Sequence, residues 1–68
     1  MKIKLIDIGR NKISRIIEID NSIKSQMLYI IEKEASKHLL SSEIEATKEG
    51  NICVNFGRVV GKWVLISE

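Results

Sequence analysis

With 68 residues, 44% of them hydrophobic, the chain has room for one small core; this excludes a second domain and an active site shared between two lobes. Cys53 is the only cysteine and His38 the only histidine, which excludes an internal disulfide and leaves too few soft ligands for a structural zinc site. The formal charge of +2 is well short of the dense basic stripe of a dedicated nucleic-acid binder, although residues 1–31 hold six basic and three acidic groups and residues 32–68 five and six.

Residues 2–8, Lys-Ile-Lys-Leu-Ile-Asp-Ile, and the apolar-rich stretch Ile13 to Ile19 flank Gly9-Arg10-Asn11-Lys12, which predicts a β-hairpin. In the second strand Ile13, Ile17 and Ile19 share one face with Arg15 intruding, and Ser14, Ile16 and Glu18 share the other. The first strand is less regular. Ile3 and Leu5 point one way and Ile6 and Ile8 the other, a pattern that calls for a bulge or for burial on both sides.

Asp20-Asn21-Ser22 supplies side chains that accept backbone N–H groups, so a helix is expected to start there. At 100° per residue, Ile23, Met27, Ile30, Ile31 and Ala35 form one face with Leu28 and Leu39 at its edge, and the pattern runs to about Leu40. After Ser41-Ser42, Ile44 and Ala46 alternate with Glu43, Glu45 and Thr47 as a half-buried strand. Lys48-Glu49-Gly50-Asn51 reads as a turn with Gly50 at positive φ, and Ile52, Val54 and Phe56 resume the alternation. The last turn falls at Gly57-Arg58 or at Gly61-Lys62. The first is preferred because it leaves a strand from Val59 to Ile66, with Gly61 as a bulge or a point of close approach.

The expected architecture is therefore a single α+β domain over residues 1–68: a β-hairpin, one amphipathic helix, then a three-stranded antiparallel meander (ββαβββ), the helix packed on one face of the sheet. The longest apolar runs, Met27 to Ile31 and Trp63 to Ile66, are too short to span a bilayer. No signal-peptide pattern opens the chain, and a reducing cytoplasm is the expected location.

Catalysis finds little support. The sequence has no phosphate-binding glycine loop, dinucleotide fingerprint, zinc-protease helix or nucleophile elbow. Cys53 reads as a small apolar strand residue, and nothing in the sequence brings it to His38. Glu34 and His38, four residues apart, can meet on the helix, but an acid–base or metal site needs further polar partners; the pair reads as a helix-end contact. Glu32, Glu34, Glu43, Glu45 and Glu49 alternate with Lys33, Lys37 and Lys48 as a solvated face rather than a calcium loop. No catalytic residue, cofactor or metal is expected.

One helix covers one side of a sheet, yet Ile6, Ile8, Ile16, Cys53, Val60, Val64 and Ile66 are candidates for the other side. Either the sheet curls on itself or another surface covers it. The first functional expectation is thus a small non-catalytic protein-interaction module, regulatory or inhibitory, acting through its sheet face or edge and able to form a homodimer. Ile16, Tyr29, Val64 and Ile66 are its candidate contacts. The alternative is a nucleic-acid-binding domain: if the two hairpin tips lie at one end of the sheet, Arg10, Lys12, Arg15, Arg58 and Lys62 make one patch, with Trp63 as a stacking surface.

Overall fold

Alternating lysine and aliphatic residues build the first hairpin of the computed structural model, which describes residues 1–40, 43–55 and 57–67. Strands β1 (Lys2–Ile8) and β2 (Ile13–Glu18) pair antiparallel, with Ile3 opposite Ile17 and Leu5 opposite Arg15. The expected bulge is present: the register shifts between Leu5 and Ile8, where Asp7 takes φ 53°. Alternation is thereby reset. Ile8 joins Ile3 and Leu5 in the core, fully buried, instead of facing the opposite side as strict period-2 alternation would have it.

Asp20 caps the next element, its Oδ1 accepting from the Ser22 N–H at 2.9 Å. That hydrogen bond, with a second from the Ser22 side chain, holds the Asp20 carboxyl below the usual carboxylate range. The capped segment is not yet an α-helix. Residues Asn21–Gln26 form a 3-10 turn in which β-branched Ile23 is non-helical (φ −116°, ψ 27°), and helix α1 occupies only Met27–Ser36. The helix also stops short of Leu40. Ser36 Oγ donates to the Lys33 carbonyl at 2.7 Å, and the Lys37 and His38 amides bond three residues back, to Glu34 and Ala35, which tightens and ends the last turn.

The remaining strands are β3 (Ile44–Ala46), β4 (Asn51–Val54) and β5 (Arg58–Ser67). The readings that involved Ser41, Ser42 and Phe56 lie outside the described residues. The β4–β5 turn falls at Gly57, as preferred from the sequence, and Gly61 lies within β5. All neighbouring strands are antiparallel, in the order β2-β1-β5-β4-β3. The C-terminal strand therefore inserts beside the N-terminal one, and β2 and β3 are left as edges.

Helix α1 packs on one face against β1 and β3. Its buried Ile31 and Ala35 meet Ile3, Leu5, Ile8, Ala46 and Ile52, with Met27, Leu28, Ile30, Leu39 and Ile44 closing the rim. The helix is also tied to the sheet by Glu32, whose Oε2 accepts from the Ala46 N–H at 2.9 Å. Five side chains, Ile3, Leu5, Ile8, Ile31 and Ile52, are fully buried, each worth about 1.5–3 kcal/mol of transfer free energy.

The tightest point is Gly61. A Cβ there would lie 2.3 Å from Ile8 Cδ1 and 3.3 Å from Ile8 Cα, so a side chain and the crossing of β1 compete for one space. Gly61→Ala is expected to cost about 1–3 kcal/mol through displacement of Ile8, whereas Val59→Ala on the exposed neighbour stays within about 0.5 kcal/mol; urea denaturation followed by far-ultraviolet circular dichroism measures both.

Candidate functional site

The contact at Gly61 also brings the two hairpin tips together. The β1–β2 turn closes with Lys12 N–H donating to the Gly9 carbonyl at 3.2 Å, and Gly9 N–H donates to the Val60 carbonyl at 3.0 Å. Gly9, at φ 74°, is pressed by the chain leaving α1: a Cβ on it would fall 2.9 Å from the His38 carbonyl oxygen. Between this turn, the β4–β5 turn and the segment after the helix lies an open groove of about 1150 Å³. Its buried and half-buried lining includes Gly61, Val60, Val54 and Leu39, and its exposed rim carries Arg10 and Lys12 from one turn and Arg58 and Lys62 from the other side.

Four of the five basic residues singled out in the sequence thus converge. Arg15 does not: it borders a separate hollow of about 390 Å³ with Lys4, Ser14 and Ile16. Among the described residues Asp7 is the only carboxylate lining the groove. None of the four cations is ion-paired within that described set, since Glu34 engages Lys37 and His38 on the helix. Four cations gathered with one carboxylate, Asp7, leave an excess of positive charge that repels weakly at this exposure, and the arrangement favours an anionic ligand.

Trp63 is committed elsewhere. Its ring packs against the core, and its Nε1–H donates to the Thr47 carbonyl at 2.9 Å while its backbone N–H donates to the Gly50 carbonyl at 2.9 Å. The indole props the β3–β4 turn and lies outside the groove lining. Glu34 and His38 do meet, with His38 Nε2 3.8 Å from Glu34 Oε2, while Lys37 Nζ lies 3.2 Å from Oε1 of the same carboxylate. His38 Nε2 has no hydrogen-bond partner among the described residues, and no group of three metal-ligating side chains occurs among them.

On the sheet face away from the helix, Ile16 is 63% exposed, Val64 45% and Ile66 49%. Two of the other candidates are withdrawn from it, Ile8 into the core and Val60 against the core beside the β5 bulge, whereas Ile6 stays half-buried opposite Lys62 and Cys53 is buried opposite Glu45, outside the core cluster. Tyr29 is exposed on the helix, with Lys33 Nζ 5.5 Å from its ring centroid, and so stands apart from Ile16, Val64 and Ile66 on the sheet. The sequence reading missed a feature of the uncovered face. Lys4 is cross-strand partner to both Ile16 and Val64, and Lys62 to both Ile6 and Asn51, so cations sit among its apolar groups. The alternation held that signal, but only the register between distant strands reveals it.

Comparison with protein-family models, with curated proteins and with solved structures gave no match. No helix among the described residues is long and apolar enough to cross a membrane.

Trp63→Phe removes one hydrogen bond and is expected to lower stability by about 0.5–1.5 kcal/mol. Arg58→Ala and Lys62→Ala are expected to leave stability unchanged or slightly raised, because they relieve repulsion. Urea denaturation of the three variants separates a structural tryptophan from cations without a structural role.

Proposed function

We propose that the chain is a non-catalytic nucleic-acid-binding module whose groove between the hairpin tips takes a phosphate backbone. The observation that supports this reading is the convergence of Arg10, Lys12, Arg58 and Lys62 on one concavity, with Asp7 as its sole carboxylate among the described residues. Arginine offers a planar fork of donors to phosphate oxygens and lysine a mobile point charge, so alternating the two along a rim suits a backbone that changes direction. Trp63 takes no part in this reading, and recognition is by charge and shape rather than by base stacking. A reducing cytoplasm suits the one cysteine, Cys53, which is buried and unpaired.

Three or four phosphate contacts imply a slope of log K against log salt of about −2 to −3 for single strands and about −3 to −4 for duplex. Fluorescence anisotropy of labelled single- and double-stranded oligonucleotides, titrated from low salt upward, should give such a slope, and Arg58→Ala and Lys62→Ala should each reduce it by about 1. Absence of binding at low salt, or a slope indifferent to both variants, excludes the groove as a phosphate site.

A second reading has its own observation: among the described residues no further strand lies beside β2 or β3, so the sheet stays open and Ile16, Val64 and Ile66 remain on its uncovered face. It makes the chain a protein-interaction module, regulatory or inhibitory, whose partner presents acidic groups to Lys4 and Lys62 between apolar contacts. Here Val64→Glu should abolish recovery of a partner in pull-downs that Arg58→Ala leaves intact; a partner retained by Val64→Glu removes the face from consideration.

A further inference from the structure

The two edges of the sheet are treated differently. Strand β3 is three residues long, and the amide of Ala46 is occupied by the Glu32 carboxylate at 2.9 Å. A short strand with a capped donor is poorly suited to accept another strand. Strand β2 is six residues long, holds no proline, and among the described residues nothing outside β1 hydrogen-bonds its backbone. At its centre stands Ile16, 63% exposed. One edge is guarded and the other is a free template.

We infer that β2 is the surface through which two copies of this chain pair, antiparallel, about a two-fold axis at Ile16. This inference rests on the open β2 edge of the second reading above and goes beyond that reading by naming a second copy as what pairs with that edge. The side chains select the register. Residues directly opposite one another in an antiparallel pair share a face, so only like-parity alignments are available. An axis at Ile16 sets Ile16 against Ile16, Ser14 against Glu18, and Arg15 against Ile17. Every charge thus faces a polar or apolar group, and the serine hydroxyl faces a carboxylate. Just beyond the strand ends the same alignment brings Lys12 toward Asp20 of the second copy. An axis one residue earlier sets Arg15 against Arg15, which like-charge repulsion disfavours. An axis one residue later sets Ile17 against Ile17, which already packs against its own core, and puts the exposed Ile16 against Glu18.

The pairing joins two five-stranded sheets into one of ten, with Ile16 of each copy at the seam and Lys4 and Val64 continuing the row on either side. It leaves Arg10, Arg58 and Lys62 free to serve each groove. A six-residue strand pair buries less than a standard interface, so affinity on the order of micromolar is expected.

Cross-linking tests the axis directly. In a Cys53→Ala background, Ile16→Cys places two thiols opposite each other across the two-fold, and mild oxidation should give a disulfide-linked dimer on a non-reducing gel, whereas Arg15→Cys should not. Sedimentation equilibrium of the unaltered protein should show a monomer–dimer equilibrium that Ile16→Lys shifts wholly to monomer with an unchanged circular-dichroism spectrum. A wild-type monomer at ~100 µM, well above the expected dissociation constant, or Arg15→Cys cross-linking as readily as Ile16→Cys, overturns the inference. Neither result bears on a different protein partner held by Val64, or on the salt slope of the groove, so failure here is separable from failure of either reading.

Discussion

The structure turns on one missing side chain. Because Gly61 has no Cβ, Ile8 can lie directly over β5, and only that crossing lets the first hairpin press its tip against the last strand. Both strands prepare for it by slipping register, β1 between Leu5 and Ile8 and β5 opposite Ile52 and Cys53. Each bulge adds local twist and re-aims the chain. The amide of Gly9 then reaches the Val60 carbonyl, and the two basic turns, far apart in sequence, become the rim of one groove.

That order of causes explains what could be read in advance. Element order, the bulge in the first strand, the preferred last turn and the special status of Gly61 were all local: alternation that failed at Ile6 and Ile8, and glycines placed where turns or crowding need them. The helix was overestimated at both ends because its limits depend on backbone detail, the kink at Ile23 and the Ser36 hydroxyl back-bonding to Lys33, which a hydrophobic stripe does not register. The sides occupied by Ile8 and Val60 were misread for a related reason: a bulge inverts parity downstream of itself. The meeting of Arg10 and Lys12 with Arg58 and Lys62 was legible only as a condition, since it requires β5 to insert beside β1. The role of Trp63 depends on the Thr47 carbonyl of a different strand pair and carried no local signal.

The division of labour in so small a chain uses few residue types. The buried interior is almost wholly aliphatic, with no buried charged side chain among the described residues, so it is sustained by packing rather than by buried ion pairs. The four groove cations contribute nothing to that packing. They stand exposed, where high dielectric keeps their mutual repulsion small, and their cost to the fold is correspondingly slight. Charge can therefore be concentrated at one end of the sheet without unsettling the core beside it.

The carboxylate of Glu32 has a consequence beyond its hydrogen bond. It occupies the Ala46 amide on one edge of the sheet, and among the described residues no such cap meets the β2 edge. A molecule with two such edges would add copies head to tail without end, as fibres do, whereas one whose only free edge meets its own twin is saturated at two. In the pairing proposed above, a single helix side chain, placed fourteen residues from the amide it caps, would set the size at which association stops.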